Sequence, residues 1–319
     1  MYGAYYEHRA LQYLAGRGVI IRNLRINGLE IDGILNGKPI EVKAYPLTID
    51  ALRKIKSKFN ALGFKEGIVV APGFPNGKFE GLELVRFRPD YSYVCKYYES
   101  WIPRIPKFLR LKWRQLRVET PIGFIKIKKR ITSLNRLKNI LKNYELPPIR
   151  VFFSVFEWLQ PEKIGSKNFN DVCFGSSFLV FDIDGEKLHF PHTINKKGFC
   201  RECIENARRE TIKLAYFLET KYGYSNFYVV FSGRKGFHLY VLDYEKEQDF
   251  GKFYEYREYR KRRKIVKDII ENGIRIDPIV TLDTRRIIGL PSSVHGYTGL
   301  ALYNIGSIQK LEKFKLHSR

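Results

Sequence analysis

The sequence predicts a two-part chain, a small α/β segment over residues 1–90 followed by a larger α+β segment over residues 91–319. Length is the first reason: 319 residues with 44% hydrophobic content bury a substantial core and suit about two domains. The second is a seam after the strand-like "GLELVRFRP". There "DYSYVCKYYESWIPRIPKFLRLKWRQLRVE" replaces alternation with aromatics, prolines and basic residues, and puts a boundary near Arg88 to Tyr93. The third is "NFYVVFSGRKGFHLYVL", two aromatic and β-branched runs around a glycine-flanked turn, which predicts strand, tight turn, strand. No internal repeat or low-complexity tract interrupts either part.

The first segment reads helix, strand, strand, helix, strand, strand. "GAYYEHRALQYLAGRG" has apolar residues at helical spacing and ends on glycine, while "VIIRNLRI" and "GKPIEVKAY" read as strands. A helix, "LRKIKSKFNALG", and a strand, "EGIVVAP", follow. Asp32 lies in "GLEIDGIL", and Glu41 and Lys43 lie two apart in "IEVKAY" and so share a strand face. If a hairpin partner brings Asp32 alongside, two carboxylates and an ammonium converge where Mg²⁺ could activate a water. From spacing alone, a cross-strand salt bridge on a solvated face is the favoured reading.

In the second segment "SSFLVFDIDGEKLHF" is an apolar run ending in Asp182 and Asp184, which predicts a central strand with both carboxylates on one face. Paired acids there are costly unless a divalent cation neutralises them. "GIRIDPIVTLDTRRIIGLPSSVHGYTGLALYNI" adds Asp277, then Asp283, Arg285, Arg286, Ser293 and His295. If Asp277 joins the pair, three carboxylates could hold two Mg²⁺ or Mn²⁺ ions for in-line nucleotidyl transfer. The turn Ser232-Gly233-Arg234-Lys235-Gly236, with His238 beyond it, offers cations and backbone N–H groups to a phosphate; a solvated basic hairpin is the plainer alternative.

His189, His192, Cys200 and Cys203 form H-x2-H-x7-C-x2-C, a spacing that favours a structural tetrahedral Zn²⁺ over incidental thiols and surface histidines. Cys95 and Cys173 read as ordinary thiols. The charged stretch "YEYREYRKRRKIVKDIIENG" predicts a helix, either a solvated face or a basic face along a template.

Composition narrows the partner. Fifty-seven Lys and Arg stand against 33 Asp and Glu, a net charge of +24 that favours a polyanion such as nucleic acid over a neutral metabolite. No apolar run approaches a membrane span, and "MYGAYYEHRALQYL" lacks a cleavable signal pattern, so a cytoplasmic location without membrane partners is expected. Four cysteines are too few for a disulfide scaffold of this size.

The D-I-D strand end, the zinc-type spacing, S-G-R-x-G-x-H and D-x-x-V-T…P-x-S-V-H-G occur in one order that closely resembles the catalytic small subunit of archaeo-eukaryotic DNA primase, over about residues 94–319. The resemblance implies an α+β primase-polymerase core with a zinc-binding subregion. It implies Asp182, Asp184 and Asp277 as metal ligands, Ser232, Arg234, Lys235 and His238 on nucleotide phosphates, and His295 on the incoming nucleotide with Ser293 assisting. "RVFFSVFEWLQP" looks like the strand preceding the family's active site. Where the family usually has Lys or Arg before the "LPSSVH" turn, this chain has Gly289, and Arg285 or Arg286 would supply the contact. Single-stranded DNA, NTPs or dNTPs, and a primase large subunit or replication or repair factors are the partners implied. A primer-dependent polymerase or terminal transferase on the same scaffold, and a DNA-binding accessory subunit, stay open as alternatives.

The helical glutamate Glu7, E-I-D and E-V-K resemble the PD-(D/E)XK nuclease superfamily, especially its Holliday-junction resolvase and RecB-like members, over about residues 1–88. That resemblance implies a small α/β nuclease-like domain, with Asp32 and Glu41 holding metal and Lys43 as catalytic lysine. The signature proline before the first aspartate is absent, as in many members with E-I-D. A structure-specific nuclease and a retained fold used only for binding are both open.

Overall fold

Helix α1 (Tyr2–Leu14) forms because Tyr6, Ala10, Leu11 and Leu14 fall on one side, and all four are buried. It belongs to a computed structural model that describes residues 2–121, 123–144, 146–164, 173–175, 178–188, 192–194, 199–245 and 254–315. The chain divides into two compact units. One comprises residues 1–91, 121–123 and 189–200; the other comprises residues 92–120, 124–188 and 201–319.

In the first unit α1 is followed by strands β1 (Ile20–Ile26), β2 (Leu29–Leu35) and β3 (Lys38–Val42), then α2 (Ile49–Ala61), β4 (Gly67–Ala71) and β5 (Leu82–Arg86). Three strands precede α2, where the sequence reading has two. The extra one is Leu29–Leu35, and the cause is a pair of Asn-Gly turns. Asn27 and Gly28 have φ of 49° and 79°, Asn36 and Gly37 of 50° and 77°, the left-handed pairs that close two-residue hairpins. Thr48 caps α2 by accepting the Ala51 N–H, and α2 makes the crossover to β4, which lies parallel to β3.

From residue 92 onward the elements in chain order are α3 (Ser92–Glu99), β6 (Leu116–Thr120), β7 (Gly123–Lys126), α4 (Leu134–Lys142), β8 (Arg150–Ser154), β9 (Glu157–Trp158), β10 (Cys173–Gly175) and β11 (Leu179–Asp184). There follow β12 (His192–Ile194), α5 (Arg201–Tyr222), β13 (Phe227–Phe231), β14 (Gly236–Val241), α6 (Tyr254–Glu271), α7 (Pro278–Leu282), β15 (Ile287–Gly289), β16 (Val294–His295), β17 (Leu300–Ala301), β18 (Tyr303–Gly306) and α8 (Ile308–Glu312). Strand β12 pairs antiparallel with β1 and completes the first unit's sheet, ordered β12-β1-β2-β3-β4-β5.

Two four-stranded sheets, β11-β14-β13-β18 and β15-β8-β6-β7, build the second unit and share one apolar core containing Val118, Val151, Phe153, Val180, Val230 and Tyr240. Strand β11 is at the edge of its sheet, not its centre as the apolar run suggests. Its free side is covered instead: the Asp277 N–H donates to the Asp182 carbonyl at 2.8 Å and the Thr281 hydroxyl to the Val180 carbonyl at 2.8 Å. The buried arginine Arg262 reaches the carbonyls of Thr281 and Phe178 and pairs with the buried Glu258, which fastens α6 to α7 and to the start of β11. Among the described residues no helix is long and apolar enough to cross a membrane.

Candidate active site

Along β11 the residues Leu179, Val180 and Phe181 are fully buried, and alternation then turns Asp182 and Asp184 partly outward. Strand β14 sets His238 opposite Asp182 and Gly236 opposite Asp184, and Asp277 forms a bridge to Asp182 from the other side. Burial, then the negative charges of Asp184 and Asp277, push the Asp182 carboxyl up to about 6. The three carboxylates therefore feel one another. Two of them are held by cations: Lys235 Nζ lies 2.7 Å from Asp184 Oδ2, and also 2.8 Å from Glu186 Oε2, while Lys187 Nζ lies 3.7 Å from Asp277 Oδ2. The side chains of Asp184 and Asp277 also accept the N–H groups of Glu186 and Ile279. Among the described residues no three His, Cys, Asp or Glu side chains are gathered closely enough to hold a metal ion. The donors are nonetheless of the kind a divalent cation takes: carboxylate oxygens from the end of β11 and from Asp277 at the start of α7.

The turn between β13 and β14 is closed by the Ser232 N–H to the Gly236 carbonyl and by the Gly236 N–H to Ser232 Oγ, so the serine hydroxyl holds the turn. Gly233 has φ +83°, and a Cβ there would stand 2.7 Å from the Cβ of His295, which is why the P-S-S-V-H-G turn can press against the hairpin. The Thr298 hydroxyl completes that contact on the Gly233 carbonyl at 2.6 Å. Arg234 pairs with Glu186 at 3.2 Å and lies over the Tyr297 ring.

His238 is 5% exposed, and burial followed by the charge of Arg150 lowers its pKa to about 3, leaving a neutral imidazole. Its Nε2 is 3.8 Å from Asp182 Oδ1. A side chain built at Gly289 would meet Leu302 Cδ2 at 2.5 Å and His238 Cε1 at 3.6 Å, so leucine fills the space where the family resemblance expects a cation.

Ser293, expected to assist with nucleotide, is fully buried and donates to the Leu290 carbonyl at 2.6 Å within the turn. Its neighbour Ser292 takes φ +64° and accepts from the Tyr97 hydroxyl and the Trp101 indole through its carbonyl. Arg285 is exposed, with its N–H on Asp283, and the Arg286 carbonyl accepts from Val155.

Sequence reasoning passed over three residues that surround the hairpin. Glu119 on β6 accepts the Tyr297 hydroxyl at 3.0 Å, and Arg150 on β8 lies 3.8 Å from Glu119 and over the same tyrosine ring as Arg234. The alternation of "RVFFS" could have marked Arg150 as sharing a face with Phe152, over which its guanidinium also lies.

In the first unit the structure brings Asp32, Glu41 and Lys43 together. Asp32 Oδ2 accepts the Val42 N–H at 2.7 Å, and Glu41, 5% exposed, is gripped by Lys43 at 2.7 Å and by Lys58 of α2 at 2.6 Å. This ion pair is buried, whereas spacing alone favours a solvated one. Burial, then the charges of Glu41 and Glu7, raise Asp32 to about 7. Glu7 itself pairs with Arg22 at 3.0 Å.

Of the zinc-type residues, His189 lies outside the described residues, and His192 is described only by its backbone, opposite Arg22 in the β12–β1 pair. Cys200 and Cys203 are buried, with Cys200 Sγ 3.9 Å from Thr193 Oγ1.

Residues 181–271 match the family model described as DNA primase small subunit. The DNA primase small subunit PriS of Pyrobaculum calidifontis is 29% identical over 236 residues, covering 64% of this chain and 74% of that protein. PriS of Saccharolobus solfataricus is 26% identical over 275 residues, with coverage of 69% and 77%. PriS of Pyrobaculum islandicum is 31% identical over 214 residues, with coverage of 57% and 66%. The matched stretch holds the D-I-D strand end, α5, the cationic hairpin and α6, and over it the chain is similar to archaeal DNA primase small subunits.

Proposed function

We propose that this chain is a nucleotidyltransferase of the primase-polymerase kind, which joins nucleotides on a single-stranded DNA template and starts chains without a primer. The observation that carries the reading is the backbone register that sets Asp182 against Asp277 and Asp184 against the Arg234-Lys235 hairpin. Asp182, Asp184 and Asp277 are the residues to hold Mg²⁺ or Mn²⁺, which when bound lowers the pKa of an attacking 3′-hydroxyl and stabilises the pyrophosphate leaving group.

The chain's own contribution is positioning. Lys235 and Arg234, now on Asp184 and Glu186, are short-range cations that an incoming triphosphate can recruit. Arg150, over the same Tyr297 ring as Arg234, adds a third cation beside them. His238 acts as a neutral N–H donor, since its imidazole stays uncharged at neutral pH. NTPs or dNTPs are the substrates, and a primase large subunit is the partner the reading favours. The four zinc-type residues are carried as a structural site, which elemental analysis of chelator-free protein tests: less than about half an equivalent of zinc counts against it.

Primer-free synthesis on single-stranded DNA with Mg²⁺ or Mn²⁺, NTPs and dNTPs supplied separately, tests the main reading beside an Asp182→Ala, Asp184→Ala control. Products that vanish in the control support it. Extension of a supplied primer without primer-free product makes the chain a primer-dependent polymerase or terminal transferase, and the absence of both products overturns the reading.

A second reading applies to the first unit, and the buried Asp32–Glu41–Lys43 cluster favours it: metal-dependent DNA cleavage. Loss of cleavage in Glu41→Ala, Lys43→Ala protein with priming intact supports it, and a parent chain that cuts no DNA substrate defeats it.

A further inference from the structure

Between α6 and α7 runs an open groove of about 650 Å³, lined by Tyr256, Tyr259, Pro278, Ile279, Leu282 and Asp283. Two of its apolar residues are unusually bare for their size: Tyr256 is 58% exposed and Ile279 is 52% exposed. Around them α6 presents Arg257, Arg260, Arg263, Lys264 and Lys267 to solvent. The carboxylate in the lining, Asp283, already accepts the Arg285 N–H. Arg260 lies over one face of the Tyr256 ring at 5.8 Å.

The position of the groove is fixed relative to the candidate active site. Its α7 wall begins directly after Asp277, whose carboxylate accepts the Ile279 N–H at 3.0 Å. Its α6 wall is fastened by the buried Glu258–Arg262 pair to the carbonyls of Thr281 and Phe178, the latter next to β11. Tyr244 adds a hydrogen bond to Glu258 at 2.9 Å. A solvated helix would need none of this anchoring.

From aromatic side chains set in a basic, rigidly held groove, we infer that α6 and α7 bind single-stranded nucleic acid, a base stacking on Tyr256 and backbone phosphates meeting Arg260 and Arg263. Stacking on an aromatic face suits unpaired bases of any sequence, and a row of cations suits the backbone that joins them. A duplex keeps its bases stacked on one another and has no use for Tyr256. The assignment rests on the polymerase reading only in naming this strand the template, which the groove delivers to the Asp182–Asp277 site.

The test is anisotropy with fluorescein-labelled oligodeoxythymidylate and the full chain in EDTA, so that binding is read without chemistry. Tyr256→Ala should weaken binding by about 5- to 150-fold with an unchanged salt slope, and Tyr256→Phe should restore it. Arg260→Ala with Arg263→Ala should reduce the slope of log K against log salt by about 1.4, two contacts at roughly 0.7 each. All three positions are exposed or at the groove rim, and melting temperatures should match the parent. Unchanged oligonucleotide binding in both variants overturns the inference, as does an equal loss of binding to a blunt duplex. Normal polymerisation with unchanged binding sinks the groove and leaves the polymerase; the expected binding losses in a parent that polymerises nothing sink the polymerase and leave the groove.

Discussion

His238 Nε2 lies 3.8 Å from Asp182 Oδ1 on the facing strand, and the two groups are perturbed in opposite senses, the acid up to about 6 and the imidazole down to about 3. Both shifts come first from burial, which disfavours the carboxylate and the imidazolium alike. The pair is therefore least charged where each partner alone would be most strained.

The consequence for stability follows from linkage. Asp182 has a folded pKa above its unfolded value, so its contribution is greatest in acid and is lost as pH rises from about 4 to 6. His238 has a folded pKa below its unfolded value, so its contribution is complete above about 6.5 and is lost as pH falls toward 3. Between pH 4 and 6 the two slopes offset. Asp182→Asn should expose the histidine slope, giving a melting temperature that falls more steeply than the parent's from pH 6 to 4. His238→Asn should reverse it. Each difference should be about 1 kcal/mol after allowing for the partial exposure of Asp182, and parallel pH profiles in parent and variants would falsify the coupling.

Gly289 makes a separate prediction about the nucleotide site. A lysine there meets Leu302, which is 4% exposed, so Gly289→Lys alone should overpack the core and cost about 1–3 kcal/mol. Adding Leu302→Ala opens the space. The double variant should recover part of that stability and show a lower KM for nucleoside triphosphate than the parent, because the new side chain starts beside His238. A KM that does not move in steady-state extension assays would place the triphosphate elsewhere.

In the first unit, Glu41 is buried with two lysines for partners. Lys43→Ala or Lys58→Ala should each cost about 1 kcal/mol, since the other ammonium still neutralises the carboxylate. Removing both leaves a buried unpaired charge and should cost roughly 3–5 kcal/mol, more than the sum. Mn²⁺ should then restore melting temperature in the double variant more than in the parent, if the carboxylates of Asp32 and Glu41 serve a cation. Additive losses with no Mn²⁺ response would make the cluster a salt bridge only.

How much of this was legible depended on whether the signal was local. The D-I-D strand end, the S-G-R-K-G hairpin and the charged helix α6 each announce themselves within a few residues, by alternation, by glycines and by composition. Strand β2 was missed although both Asn-Gly turns were in view, because "GLEIDGIL" mixes polar and apolar residues with no run of β-branched side chains. The edge position of β11 was not legible, since an apolar run records burial and not what provides it; here the cover comes from residues 277–281, about a hundred positions away. Arg150 and Glu119 likewise meet Tyr297 only through tertiary packing. The burial of Ser293 shows what a motif does not specify, namely which side chain of a turn faces inward.

Arg262 and Glu258 carry the last prediction, because both are fully buried and together they hold α6. The guanidinium bonds Glu258 at 2.7 Å and the Thr281 carbonyl at 3.2 Å, and it lies over the Phe156 ring at 4.3 Å. Truncating it to Arg262→Ala removes these contacts and strands a buried carboxylate, which should cost about 3–5 kcal/mol and lower the melting temperature by roughly 10 °C. Arg262→Met paired with Glu258→Leu removes both charges and keeps the volume, so its loss should be much smaller, although the Thr281 and Phe178 carbonyls lose a donor. The two variants separate stability from alignment. If the ion pair serves to fix α6 against Asp277, the Met/Leu variant should fold at near-parental temperature yet bind single-stranded oligonucleotide more weakly and extend it more slowly. A Met/Leu variant as stable and as active as the parent would show that packing alone sets the helix, and that the buried charges serve neither stability nor geometry.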